Sequence, residues 1–157
     1  ELAQIVNRSA DLLNCVVDED AALLMGQCSR GTPRIANRIL RRMRDFAQTS
    51  GSETITCKIV QNGLKQLEID EAGLERYDRE ILLSIIKNFG GGPVGAESLA
   101  ISVGESIDTL EDYYEPYLIQ CGFLQRTPRG RIVTPKAYAH LKLDNLNSSD
   151  NQNSLFE

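Results

Sequence analysis

Three arginines within six residues, Arg126, Arg129 and Arg131, surround Pro128 and Gly130 in the stretch Gly122 to Pro135, between two short apolar runs. A hairpin tip of that composition suits contact with phosphate, because each guanidinium offers paired donors and a fixed charge to an anion. From Pro116 to Leu143 there are five Lys or Arg and no Asp or Glu, although the chain as a whole carries a formal net charge of -5. A positive tongue on an acidic body implies a small docking point for nucleic acid rather than general stickiness. The competing reading is an ordinary turn, with Pro128 and Gly130 for geometry and the arginines for solubility. The acid-free surroundings count against it.

A second cluster reads Arg30-Gly31-Thr32-Pro33-Arg34 and continues with Arg38, Arg41, Arg42 and Arg44. Thr32 suits an N-cap and Pro33 a first helical position, where its missing N–H costs nothing. Arg34 then falls in a first turn whose free N–H groups and macrodipole are already positive, an arrangement unfavourable by roughly 0.3 to 1 kcal/mol. An anion such as a nucleotide phosphate meeting Arg34 would explain it. A solvated basic helix face explains it equally well on physical grounds alone.

Other candidate chemistry is weak. Gly90-Gly91-Gly92-Pro93-Val94-Gly95 invites a phosphate-loop reading but lacks the Gly-Lys-Ser/Thr ending and follows no strand, so it serves as a stop between helices. The four cysteines, Cys15, Cys28, Cys57 and Cys121, are far apart and His140 is the one histidine, a pattern that implies packed, reduced thiols and no metal site. Tyr113, Tyr114 and Tyr117 suit core or interface positions better than base stacking. No apolar run approaches the roughly 20 residues that span a bilayer, and the expectation is a soluble, cytoplasmic protein. The first residues, Glu1 to Val6, read as the inside of an amphipathic helix without an initiator methionine, as expected of a piece of a longer chain.

The elements that must position these residues follow from periodicity. Leu2 to Leu13 forms a first helix, Asp18 to about Ser29 a second, and Pro33 to about Ala47 a third, with Arg34, Arg38, Arg41 and Arg42 on one side and Ile35, Ile39, Met43 and Phe46 on the adjoining one. Gln48 to Glu53 reads as a loop and Thr56 to Leu67 as a fourth helix. The acidic stretch Ile69 to Glu75 is the boundary between two domains, 1–70 and 74–143. In the second, Leu74 to Phe89 is helical and stops at the glycines; Ala96 to Ile101 is a short helix; Ile107 to Cys121 is helical but kinked or split at Pro116. Phe123 to Arg126 and Arg131 to Thr134 then fit strands around a Thr127 to Gly130 turn, and Pro135 to Leu143 a last helix. Three helices followed by a hairpin is the order of a winged-helix domain. Residues 144–157, rich in Asn and Ser, are expected to be disordered.

The helix before the hairpin carries Glu105, Asp108, Glu111, Asp112 and Glu115. DNA would repel it, so base reading in the major groove is disfavoured and backbone contact through the wing is favoured.

The run Arg-Gly-Thr-Pro-Arg-Ile-Ala-Asn-Arg-Ile-Leu-Arg-Arg from Arg30 to Arg42 closely resembles the lid motif of the RuvB family, the AAA+ ATPases that drive branch migration of Holliday junctions. Phe123 to Arg131 resembles the wing of that family, and Gly90 to Gly95 another of its characteristic segments; the resemblance spans about Glu1 to Leu143. It implies a mainly α protein, a four-helix AAA+ lid domain followed by a winged-helix domain with a small β-hairpin wing. It implies that Arg34 is the sensor-2 residue over the phosphates of bound ATP, and that Arg126 and Arg131 contact the DNA backbone with Arg129 as a phosphate neighbour. It further implies a homohexameric ring, a RuvA-like junction-binding partner, and ATP with Mg2+ bound by a domain outside this stretch. This stretch has no Gly-x-x-x-x-Gly-Lys-Ser/Thr and no strand ending in paired acids, so it is expected not to hydrolyse ATP alone. One departure stands out: Gly104-Glu105-Ser106-Ile107 replaces a family Gly-Glu-Glu-Arg, so a further basic contact is missing and Ile107 is expected to pack instead. Two other readings remain: a stand-alone winged-helix DNA-binding regulator, which normally wants a neutral or basic recognition helix, and an adaptor whose winged helix binds protein.

Overall fold

A computed structural model describes residues 1–143; the expected disordered tail lies outside the described residues. The chain divides into two compact units, Glu1–Tyr77 and a second beginning at Asp78.

The first unit is built from α1 (Leu2–Leu12), α2 (Glu19–Gln27), α3 (Pro33–Thr49) and α4 (Cys57–Gln66). Thr32 caps α3 as its type and position dictate, accepting a hydrogen bond from the Ile35 N–H at 3.4 Å with Pro33 in the first turn. Thr56 does the same for α4 through Ile59 N–H at 3.3 Å. α3 buries Ala36, Ile39, Leu40, Met43 and Ala47, with Ile35 and Phe46 partly buried beside them, against Val6 and Ala10 of α1, Ala21, Ala22 and Met25 of α2, and Val60 and Leu64 of α4. Two details differ from the sequence reading. α3 runs on to Thr49, two residues into the expected loop, and Val16–Val17 (β1) pairs in parallel with Thr54–Ile55 (β2). Two-residue strands are too short to show a period of two, so nothing in the pattern could reveal them.

The second unit contains α5 (Arg76–Phe89) from Asp78 on, α6 (Ala96–Val103), a helical run from Ile107 to Gln120, the strands β3 (Leu124–Thr127) and β4 (Gly130–Val133), and a final helix Pro135–His140. The helical run has three parts: α7 (Ile107–Thr109), a π turn (Leu110–Tyr114) and α8 (Glu115–Gln120). The wider π turn ends at Tyr114, two residues before Pro116, which falls in the first turn of α8. The split expected at Pro116 is thus made by a change of helical pitch, which accommodates a residue without an N–H. α9 (Pro135–His140) is capped by Thr134 and shorter than expected.

β3 and β4 pair antiparallel around the two-residue turn Pro128-Arg129, each shifted by one residue from the sequence reading. The glycine run does more than stop α5. Val94 pairs with Arg131 as a third, one-residue strand, through Val94 N–H to Arg131 C=O at 3.0 Å and Arg131 N–H to Val94 C=O at 2.8 Å, and Val133 N–H reaches Gly91 C=O at 3.0 Å. So close an approach of two backbones needs absent side chains. A Cβ on Gly92 would collide with the Arg131 carbonyl, and one on Gly130 with the Val94 carbonyl; both glycines also have positive φ, 98° and 130°. Gly92→Ala is therefore expected to destabilise the second unit by more than about 1 kcal/mol. Gly104→Asn, at a left-handed helix end with open space around it, should cost less; parallel thermal unfolding of the two variants checks the order.

Candidate nucleic-acid interface and nucleotide sensor

In the wing, Leu124 opposes Val133 and Arg126 opposes Arg131 on one face, while Gln125 opposes Ile132 and Thr127 opposes Gly130 on the other. Leu124 and Val133 are buried at the base of the hairpin. One step nearer the tip, two like charges stand directly opposite each other, which by itself destabilises a sheet. The compensating charge comes from α8. Glu115, 1% exposed, accepts from Arg126 Nε at 3.1 Å and Nη2 at 2.7 Å on one oxygen and from Arg131 Nε at 2.6 Å on the other. Glu111, one turn earlier on the same face, accepts from Arg131 Nη2 at 2.8 Å and lies 3.6 Å from Arg126 Nη2.

The two arginines are not equivalent. The Arg131 side chain is 12% exposed and that of Arg126 51%. Hydrogen bonding to Glu115, and then the charges of Glu115 and Glu111, raise the Arg131 pKa above its usual value against the opposing effect of burial. The network engages the Nε and Nη2 groups of both residues; among the described residues neither Nη1 has a protein acceptor. Arg129, at the turn, is exposed, and its guanidinium makes no ion pair among the described residues.

This arrangement corrects the picture of a free basic tongue beside an independent acidic helix. Glu111 and Glu115 are counter-ions of the wing, whereas Asp108 and Asp112 remain exposed or partly so. The signal was present in the sequence as two acids spaced i, i+4 ahead of two arginines that share one face of the hairpin, but helical and strand periods do not say that the two faces meet. Ile107 does not pack as expected: it is 39% exposed, just after Ser106, which caps α7 through Thr109 N–H. Tyr114 is buried, with Tyr113 half exposed edge-on to it at 4.8 Å between ring centres. His140 stacks on Phe123 at 4.8 Å.

In the first unit Arg34, Arg38, Arg41 and Arg42 all lie exposed along α3. Arg38 pairs with Glu75 at 3.1 Å and Arg42 lies over the Phe46 ring at 5.5 Å. Arg34 makes no hydrogen bond or ion pair through its side chain among the described residues. It is an exposed cation beside the free N–H groups of a 17-residue helix, and the site suits a polyanion. Arg30, in contrast, is buried, with a left-handed backbone at φ 54°. Arg44 is partly buried 3.9 Å from Asp45, and its Nε is shielded from solvent without a hydrogen-bond partner.

The four cysteines are free thiols. Burial, reinforced by Asp70, pushes the Cys28 thiol up to about 11, which makes it unreactive near neutral pH. Among the described residues no three His, Cys, Asp or Glu side chains gather as a metal site, and no helix is long and apolar enough to cross a membrane.

A helical unit with an unpaired arginine at the start of its longest helix, followed by a winged helix with a basic hairpin, belongs to the class of AAA lid and winged-helix pairs. Residues 1–70 match the family model described as the RuvB AAA lid domain, and residues 71–142 that of the RuvB C-terminal winged helix domain. The chain belongs to the RuvB family. It is 63% identical over 157 residues to the Holliday junction branch migration complex subunit RuvB of Treponema denticola, covering all of this chain and 46% of that protein. The subunit of the same name from Borreliella afzelii is 56% identical over 153 residues, covering 95% of this chain and 44% of that one. Among solved structures, the Thermotoga maritima RuvB Holliday junction branch migration motor superposes with a TM-score of 0.90 at 49% identity, covering 92% of this chain and 48% of that chain. The chain thus spans about half the length of the curated relatives it matches.

The unequal burial of the two wing arginines sets an order of stability. Arg131→Ala, which strips the buried Glu115 of its most enclosed partner, should cost about 2 kcal/mol of unfolding free energy. Arg126→Ala, at a half-exposed position, should cost less than about 1 kcal/mol. Urea unfolding of both variants checks this; equal losses would mean that Arg131 is no more a strut than its neighbour.

Proposed function

We propose that this chain is the nucleotide-sensing and DNA-gripping part of an ATP-driven motor that moves Holliday junctions in recombination and repair. Residues 1–70 serve as the AAA+ lid and 74–143 as the winged-helix DNA-binding domain. The observation that carries the reading is the wing, whose Arg126 and Arg129 are exposed cations on a hairpin beside a helix that still presents Asp108 and Asp112. A duplex held there is held by its phosphates, because the acids keep the helix out of the major groove. That is the contact a translocating protein needs, since it must bind every sequence alike.

ATP, when bound, supplies the free energy of phosphoryl transfer. The residues of this chain fit it at one point: Arg34 is unpaired, exposed and placed where helix geometry already favours an anion. Its role is to lie against the terminal phosphate and tie the tilt of the lid to nucleotide state. Magnesium and the hydrolytic groups belong to the ATPase domain of the complete protein, so this stretch alone does not turn over ATP. The complete protein works as a cytoplasmic homohexamer with a RuvA-like junction-binding partner on double-stranded DNA.

Two measurements test the proposal. In the complete protein Arg34→Ala should lower ATP turnover and branch migration at least about tenfold; wild-type rates would remove the sensor role. In the 157-residue chain, Arg126→Ala with Arg129→Ala should weaken binding to a random-sequence duplex and flatten the plot of log affinity against log salt by about 0.9 for each phosphate that is no longer neutralised. An unchanged slope would mean that the wing does not hold DNA.

A further inference from the structure

We propose that Glu115 is a positioning residue: its buried carboxylate clamps the cross-strand pair Arg126 and Arg131 side by side and so builds one two-guanidinium grip for phosphate. This rests on the reading of the wing as a DNA contact. The geometry is specific. Glu115 uses both oxygens to join the two arginines: Oε2 accepts from Arg126 Nε and Nη2 and, at 3.4 Å, from Arg131 Nη2, while Oε1 accepts from Arg131 Nε. The acceptor is enclosed at 1% exposure, and it comes from a helix rather than from the hairpin itself. Each guanidinium is therefore fixed along its Nε–Nη2 edge, which leaves the Nη1 groups of both without a protein acceptor among the described residues. A flexible arginine on a hairpin loses rotamer freedom when it grips a phosphate. Here that loss is taken during folding, because the carboxylate has already set both side chains.

Glu115 is unlike the other acids of this run. Asp108 and Asp112 are more open to solvent and Glu111 is only partly buried, so each can repel an approaching backbone. Glu115 is screened by the two cations it holds. Removing its charge leaves two guanidinium groups facing each other across β3 and β4 without the enclosed counter-ion between them, and a glutamine there offers one oxygen where two are in use and turns amide donors toward arginine donors.

The sign of the effect separates positioning from simple electrostatics. Glu115→Gln makes the wing one charge more positive, which by charge alone tightens binding to DNA. The clamp requires the reverse. In the 157-residue chain, with the far-ultraviolet circular dichroism unchanged, Glu115→Gln should weaken affinity for a random-sequence duplex at least about fivefold and flatten the salt dependence by about 0.9 for each phosphate released from the grip. In 15N NMR the Arg126 and Arg131 Nε–H protons of the wild-type chain should exchange slowly with solvent, and those of the variant quickly. Unchanged or tighter binding by a folded Glu115→Gln overturns the proposal. Should that variant not fold, Glu115→Leu with Arg131→Met replaces the enclosed part of the network with apolar groups at the same net charge. It should bind more weakly than Arg131→Met alone, because Arg126 has then lost its anchor; equal affinity overturns the clamp. Arg126→Ala with Arg129→Ala is run beside them: full affinity there sinks the wing reading and the clamp together, whereas weakened binding there with undiminished binding by Glu115→Gln sinks the clamp alone.

Discussion

Two arginines directly opposite each other on a two-stranded ribbon repel, and the second unit is arranged so that a counter-charge lies between them. Glu115 reaches both from α8 at 2.6 to 3.1 Å. For it to do so, the helix must bring an enclosed acid to the level of Arg126 in β3, beyond the buried pair Leu124 and Val133. The π turn over Leu110–Tyr114 offsets α8 from α7 just ahead of Glu115 and Pro116. The hairpin is braced from another side by Val94, whose backbone pairs with Arg131, through an approach that glycine at 92 and 130 permits. Hairpins of this size are marginal alone. This one has a helix, a third strand and a shared carboxylate, and all three converge on Arg131.

The two arginine sets illustrate opposite uses of the same side chain. In the wing, the charge of Arg131 is compensated within the fold, and the residue contributes rigidity before it contributes affinity. On α3, Arg34 has no partner among the described residues and stands at the end of the helix where a cation is least welcome. That local cost is small and Arg34 is exposed, so water carries most of it. An anion arriving there meets the guanidinium together with the N–H groups of the first turn, and it gains from both. A paired arginine holds a shape, and an exposed, unpaired one stays available to an anion.

How much of this was legible in the sequence depended on the range of the interaction. The cap of α3 was legible because Thr32 and Pro33 act within four residues, and so were α1, α3 and α5, whose apolar spacing is long and regular; the Thr56 cap of α4 emerged only from the structure. The wing was legible from its turn residues, to within one position at each strand. The Glu115 clamp was not, because it joins residues 11 and 16 apart whose facing depends on how a helix lies over a hairpin. The same limit hid the third strand: the glycine run reads locally as a helix stop and shows its second use only against β4. Ile107 was expected to pack because it is apolar, yet its position after the Ser106 cap leaves it 39% exposed. Arg30 belongs to the same arginine-rich run in sequence, but the left-handed turn before α3 takes it inside.

The charge balance of the wing bears on what a contact of this kind is good for. Three arginines against Glu111 and Glu115 leave a small positive excess, and Asp108 and Asp112 lie on the adjoining helix. Such a site holds a phosphate backbone at short range and offers little attraction beyond the screening length of about 8 Å at physiological salt. A repressor gains from deep, base-reading contact, because its task is to stay. Under the proposed function the task is to hold, pull and let go, and each grip must be weak enough to release when the lid changes state. Rigidity then matters more than charge. A pre-set pair of guanidinium groups transmits force along the backbone without needing tight binding, whereas a more basic but mobile hairpin would bind harder and pull less well.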